Sequence, residues 1–324
     1  MITYTRLTRH PEAARSLIGM SLPAFDALYA EFEVAHEERL ATATHTRRTR
    51  QPRQRAVGAG RRYTYSLRDR LLMTLFWLRV YTTYAVMGFL FELDRTVIED
   101  NVKDVLATLD SMTSFTYERP TAERAKLCSA AAVMDAFPDV RLVIDAKEQR
   151  IQRPKAGKDD DGNSLDRQKP YYSGKKKTHT LKNQVAIRPD GLIEAVSASV
   201  PGGATHDLTL LRQSQLLAQL TEGQAAMFDK GYDGIRNDFP ELSLYLPYKA
   251  RRNHPLTPEQ KAYNRHLSKY RIVVEHTMAQ LNKFQVLAQV FRHARSAHSW
   301  IFRIVAGLVN RQLQATPLKT YAAA

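Results

Sequence analysis

The 324-residue sequence predicts a two-part α/β protein, with an all-α segment first and a mixed-sheet domain after it. Two changes of pattern predict this. Up to about residue 110, apolar side chains recur at helical spacing; from about residue 138, short β-prone runs are interleaved with helical ones. A hydrophobic content of 44% is enough for one large core or two modest ones.

Residues 1–38 read as a helical segment assigned to a first region, 1–40. Phe25, Leu28, Tyr29 and Phe32 fall on one face, and Ser21 with Pro23 suits a helix start. Residues 41–63 read as a basic linker. Arg47, Arg48, Arg50, Arg53, Arg55, Arg61 and Arg62 occur there with no acid between them, among Pro52, Gly58 and Gly60. Such an arm is expected to lie along phosphates or to enter a minor groove.

Residues 64–125 read as a helix-turn-helix DNA-binding domain. Its helices are expected over 66–80, with Ser66 as N-cap, over 84–93, and over 96–109 after a break at Asp94. The third carries Glu99, Asp100 and Asp104 and few cations. The apolar stretch 71–91 is interrupted by Arg79, so it reads as a buried helical pair rather than a membrane span.

Residues 138–290 read as the catalytic domain. Strands are expected over 140–144, 178–187 and 192–200, the last after the Pro189-Asp190-Gly191 turn. A helix over 206–220, a strand over 225–228 and a helix over 269–284 follow. That order is the order of an RNase H-like α/β domain. Between the first two strands lies a polar insertion, in which Asp159, Asp160 and Asp161 read as a solvated tip. Residues 291–324 read as a C-terminal helix, over 296–314, and a tail. Trp77 and Trp300 are expected in the core, and Tyr232 is open to stacking or packing.

Lys and Arg total 48 against 33 Asp and Glu, a net charge of +15 that favours nucleic acid or an anionic surface as partner. Cys128 is the only cysteine, which excludes an intrachain disulfide and suits a reducing cytoplasm. Arg6, His10, Glu12 and Arg15 interrupt the start as no signal peptide would.

Three carboxylates suit metal-dependent phosphodiester chemistry: Asp145 at the end of the first strand, Asp229 at the end of a later one, and Glu275 on a helix. Two divalent ions about 4 Å apart activate a nucleophile and steady the leaving oxygen, and hard ions take oxygen ligands. Asp207 competes for the middle position, but it precedes a helix and its default role is N-capping. Lys175, Lys176, Lys177, His179 and Lys182 lead into the strand beside Asp145 and are expected to contact phosphates. Arg271, four residues before Glu275, shares its helical face and is expected to orient it or to hold a phosphate.

Five segments in order resemble bacterial insertion-sequence transposases of the DDE superfamily, of the IS-five type and related to Harbinger transposases. They are VIDAKEQRIQRP from residue 143, YSGKKKTHTLK from 172, PGGATHDLTLL from 201, DKGYDG from 229 and RIVVEHTMAQLNKF from 271. The resemblance implies an RNase H-like domain in which Asp145, Asp229 and Glu275 hold Mg²⁺ or Mn²⁺, two ions in all. It implies cleavage at terminal inverted repeats, attack of the freed 3′-hydroxyl on target DNA, and a homodimer or higher multimer. The setting implied is the bacterial cytoplasm, at the nucleoid. Relatives share a Tyr-Arg-Glu-Lys signature that Arg271 and Glu275 fit. Ser268 stands at the tyrosine position and Asn282 at the lysine position, with Lys283 one residue late as a DNA contact; Lys147 stands where a hydroxyl residue is usual. Two other readings share many of these features: a domesticated DNA-binding regulator without catalysis, and an RNase H-like nuclease acting on branched DNA.

Overall fold

The computed structural model describes residues 1–47, 64–112, 137–155, 157–158, 164–165, 168–214, 216–221, 223–250, 252 and 254–315. The chain divides into two compact units, Met1–Thr116 with Lys283–Val286, and Tyr117–Asn282 with Leu287–Ala324. Among the described residues, no helix is long and apolar enough to cross a membrane.

The first unit holds α1 (Tyr4–Thr8), α2 (Pro11–Leu17), α3 (Leu22–Arg47), α4 (Leu67–Val80), α5 (Tyr84–Phe91) and α6 (Arg95–Ser111). The helix expected over 1–38 is thus three. Pro11 opens α2 at a position where its missing N–H costs nothing, and Gly19, at φ 82°, turns the chain ahead of α3. The third helix runs on to Arg47, into the stretch read as linker. Arg48, Arg50, Arg53, Arg55, Arg61 and Arg62 lie outside the described residues, as do Asp159, Asp160 and Asp161.

The α4 helix is the centre of this unit, buried from Arg70 to Leu78. Ser66 caps it, accepting from the Asp69 N–H at 3.1 Å, and Thr83 caps α5 in the same way. Both helices end on a left-handed residue, Tyr81 and Glu92. A polar clamp crosses the unit: Arg70 donates to Asn101 at 2.7 Å, and Asp104 accepts from both Arg39 and Arg70. Burial works against the Asp104 charge, but the two arginines outweigh it and hold the carboxyl below its ordinary value.

The second unit is built on a mixed sheet. Its strands are β1 (Val140–Arg150), β4 (Tyr172–Ser173), β5 (Thr178–Ile187), β6 (Ile193–Val196), β7 (Val200–Pro201), β8 (Ala225–Met227) and β9 (Ser243–Tyr245); β2 (Gly157–Lys158) and β3 (Ser164–Leu165) form a separate pair. The path runs β4-β5-β1-β8-β9, with β6 and β7 also on β5. The β1 and β5 strands are antiparallel, whereas β1, β8 and β9 are mutually parallel.

The helices are α7 (Asp207–Gln213), α8 (Ile235–Asp238), α9 (Pro258–Asn282), α10 (Gln285–Ala288), which begins in the first unit and ends in the second, and α11 (His298–Ala315). The helix expected over 206–220 stops at Ser214 and resumes as a 3₁₀ turn, Leu216–Gln219. One strand expected over 192–200 is two, β6 and β7, and β9 was not expected.

Side chains alternate across β1. Leu142 and Ile144 join a core with Leu211, Ala226, Phe228 and Tyr232 on one face. On the other, Gln149 donates to the Gln289 carbonyl at 2.9 Å and meets His298 of α11 at 2.8 Å. Trp77 is buried, as expected, and Trp300 is half-buried.

Candidate active site

The strand carrying Asp145 outlasts its apolar run. Pairing with β5 continues from Val143↔Ile187 to Arg150↔Thr180, so Asp145 lies in mid-strand rather than at a strand end. The parallel partner β8, however, stops earlier. Val143 pairs with Met227, and each acid stands two residues beyond its member of that pair. Asp145 and Asp229 therefore share one face just past the end of the parallel β1–β8 pairing, close to where open α/β sheets place their sites.

Asp145 is half-buried and accepts from the Ala146 N–H at 2.8 Å. Burial raises its carboxyl above the ordinary value; the Ala146 N–H and the Arg271 guanidinium act the other way, and Asp229 and Asp207 add to the rise. Arg271 of α9 donates from Nη1 to Asp229 Oδ1 at 3.1 Å. Its Nε–H is buried and has no acceptor among the described residues. One guanidinium is thus the counter-charge near both acids.

Further along α9, Asn282 accepts from Lys147 Nζ. At about 100° per residue, Arg271, Glu275 and Asn282 fall within about 40° of one another, beside the buried stripe of Leu267, Val274 and Leu281. The helix is tied to the Asp145 face at both ends of this line, at Asp229 and at Lys147, and Glu275 lies between the ties, exposed. Burial, then repulsion from Lys176, lowers the Lys147 ammonium to about 8.

Asp207 belongs to the opposite face. It is the first residue of α7 and caps nothing, since His206 holds the cap position. Its Oδ1 lies 2.9 Å from Lys182 Nζ, which also faces Glu148 Oε1 at 3.4 Å and donates to the Thr205 carbonyl at 2.8 Å. Lys182, expected at phosphates, is 6% exposed, with its ammonium committed to this network. Tyr232 is also internal: its hydroxyl accepts from Gln184 Nε2 at 3.0 Å.

Lys175, Lys176 and Lys177 are exposed in the turn between β4 and β5, where Lys177 adopts φ 53°. His179, half-buried, meets the Tyr172 ring edge-to-face at 5.6 Å. Close packing explains the glycine at 203: an added Cβ would come 2.2 Å from the Tyr172 carbonyl oxygen. Lys283 is exposed and belongs to the first unit, where its carbonyl accepts from Arg79 at 2.7 Å. Sequence reasoning missed the Lys147–Asn282 contact and the Glu148–Lys182–Asp207 network, both of which depend on which strand pairs with which.

Carboxylate oxygens are the donors that hard divalent ions take, so Asp145 and Asp229 suit such an ion by chemistry. A cation there would also relieve two neighbouring acids, one of them half-buried. Among the described residues, no three His, Cys, Asp or Glu side chains are gathered tightly enough to hold a metal ion.

Two acids just past a parallel strand pairing, one of them held by an arginine of a neighbouring helix, lie where α/β enzymes commonly carry their sites. A family model described as DDE superfamily endonuclease matches residues 144–310. A probable transposase for insertion sequence element IS702 of Microchaete diplosiphon is 30% identical over 254 residues, 78% of this chain and 83% of its own length. A transposase for insertion sequence element IS1106 of Neisseria meningitidis serogroup B is 38% identical over 95 residues, 28% of this chain and 31% of that one. Among solved structures, the Mos1 strand transfer complex aligns over 81% of this chain and 79% of that one, at 10% identity and a TM-score of 0.22, too low to bear on the fold. The chain belongs to the DDE superfamily endonucleases. It is thus an enzyme of the nuclease and transposase class.

Proposed function

We propose that this enzyme is a DNA transposase. It binds the terminal inverted repeats of an insertion sequence, cleaves a strand there, and directs the freed 3′-hydroxyl to target DNA. The observation that carries the reading is the placement of Asp145 and Asp229 two residues beyond a paired couple on parallel strands, with Arg271 on the second acid. The strand order, three antiparallel neighbours followed by parallel β8 and β9, supports an RNase H-like fold. The net charge of +15 and the similarity to two insertion-sequence transposases support DNA as substrate.

Asp145, Asp229 and Glu275 are the residues that would hold two divalent ions, Mg²⁺ or Mn²⁺. When bound, such ions acidify the attacking water or hydroxyl and stabilise charge on the phosphoryl group and the leaving oxygen. Asp145, fixed in a paired strand, sets the position of the first carboxylate, and Arg271 orients Asp229. Glu275 approaches along the face of α9 that the two ties hold over the strand. Lys175, Lys176 and Lys177 meet the DNA backbone, while α5 and α6 form a helix pair for duplex binding, and the arginine-rich segment adds cations for phosphates. Synapsis of two element ends calls for a homodimer or a higher multimer.

Strand cleavage of a duplex carrying the element's own end, with Mg²⁺ or Mn²⁺, tests the reading. Metal-dependent nicking at the end, lost in Asp229→Asn, is the expected result. Tight binding with no nicking by the native chain would count against it.

A further inference from the structure

Among the cations near the paired acids, Lys147 is distinct. It lies two residues past Asp145, so both side chains leave the same face of β1, roughly 7 Å apart along the strand. It is half-buried, and its hydrogen-bond partner is the Asn282 side-chain oxygen, a neutral acceptor. No carboxylate of the described residues pairs with it. Other lysines of the described residues do have acids: Lys182 has Glu148 and Asp207, and Lys103 has Glu99. The charged side chain that bears on Lys147 is another cation, Lys176, at the exposed turn between β4 and β5.

A half-buried ammonium held by a neutral acceptor, with no carboxylate of the described residues paired to it, is an unfavourable arrangement in the free protein. It becomes favourable when an anion enters. Asn282 holds the amine without neutralising it, and two of the three N–H donors are left for a ligand. The helix position supplies the direction: Asn282 lies in line with Arg271 and Glu275, so the ammonium is held on the stripe of α9 that overlooks the acids. Charge of this kind, next to two carboxylates, fits a phosphodiester whose reacting bond lies at the acids and whose flanking phosphate lies at the lysine.

We infer that Lys147, braced by Asn282, holds a backbone phosphate of the DNA strand beside Asp145, and that the two positions act as one pair. The inference rests on the transposase reading. The strand supplies a lysine at this contact and the helix an amide. The two side chains touch, so a positive charge moved from the strand to the helix would stay at the same point of the surface.

The salt dependence of duplex binding tests this, with a labelled duplex carrying the element's own end and no metal present. The proteins are the native chain, Lys147→Met, Lys147→Arg and the exchange variant Lys147→Met with Asn282→Lys. One lost phosphate contact lowers the slope of log affinity against log salt by about 0.9. Lys147→Met is expected to show that drop and to bind about tenfold more weakly, while Lys147→Arg and the exchange variant keep the native slope. A purely structural role would lower the melting temperature of Lys147→Met and leave the slope alone, which overturns the inference. Failure of the exchange variant to recover the slope, with a native melting temperature, also overturns it. Metal-dependent nicking by the native chain reads the transposase assignment separately. Its absence alongside a changed slope would sink catalysis and leave the phosphate contact standing.

Discussion

Asp145 and Asp229 stand at equal distance, two residues, beyond Val143 and Met227, which face each other on parallel strands. The pairing of two apolar residues thus sets the spacing of two acids, and Arg271 secures the second at 3.1 Å. Asp207 has no part in this relationship. It is paired with Lys182 on the other face.

Asp145→Asn and Asp229→Asn are expected to lower strand cleavage on the order of a thousandfold, the scale of lost charge stabilisation at a reacting centre. Duplex affinity should stay near native. Asp207→Asn should act mainly on stability, by roughly 1–2 kcal/mol, because the partly exposed acid leaves Lys182 with Glu148 alone. Single-turnover nicking and thermal melting separate the two outcomes; loss of cleavage in Asp207→Asn with full activity in Asp229→Asn would reverse the assignment of the middle acid.

Arg271→Lys keeps the charge but loses the fork that reaches Asp229, and Arg271→Gln loses both. Removing a group that orients a metal-holding acid costs about 10–100-fold in activity or metal affinity. The Gln variant is expected at the upper end of that range and the Lys variant at the lower. Titration of Mn²⁺ against cleavage rate should show the required concentration rising in both; an unchanged metal requirement would mean that Arg271 does not act through Asp229.

His298 is buried between Ser199 at 2.7 Å and Gln149 at 2.8 Å, and burial lowers its pKa from 6.5 to about 4. The folded state therefore keeps the ring neutral while the unfolded chain takes up a proton. The stability this contributes is present above about pH 6.5 and is lost as pH falls towards 4. His298→Gln should be less stable at neutral pH by about 2 kcal/mol, with a flatter melting profile between those limits. An equally steep profile in the variant would assign the acid limb to other groups.

Asp104 works at lower pH in the first unit. Its carboxyl is depressed because Arg39 and Arg70 outweigh burial, so its contribution is full above the unfolded value, about 3.9, and disappears as pH falls through the folded one. Asp104→Asn strips Arg70, itself 2% exposed, of its half-buried carboxylate partner. A loss of roughly 2–3 kcal/mol at neutral pH is expected, read by denaturant unfolding. A variant as stable as the native chain at pH 7 would sink the idea.

Much of this was legible in residue order because the signals are local. The β5 strand spans the limits its alternation implies, Ser66 caps α4, and α4 is buried as its apolar content requires; α5, expected to be buried with it, buries Met87 and Phe91 and leaves Val86 and Phe89 exposed. What could not be read depends on distant pairing. The three residues of β9 are too few for any period, and β1 runs past its apolar stretch because β5 supplies partners as far as Thr180. Lys182 looks like any surface lysine until Glu148 is found opposite it. Among candidate acids, Asp145 and Asp229 were recognisable by their place after apolar runs, whereas the position of Glu275 depends on ties made by other residues of its helix.

Placing two acids by the register of adjacent strands frees the chain between them from any duty of measurement. The excursion that carries the small β2–β3 pair and the connection after α7 could grow or shrink without moving either carboxylate, and closing a longer excursion costs only about 0.6 kcal/mol for each doubling of its length. The stretch between the acids is therefore where a lineage of such enzymes has room to acquire new arms, tips or whole inserted modules while its chemistry stays where it was.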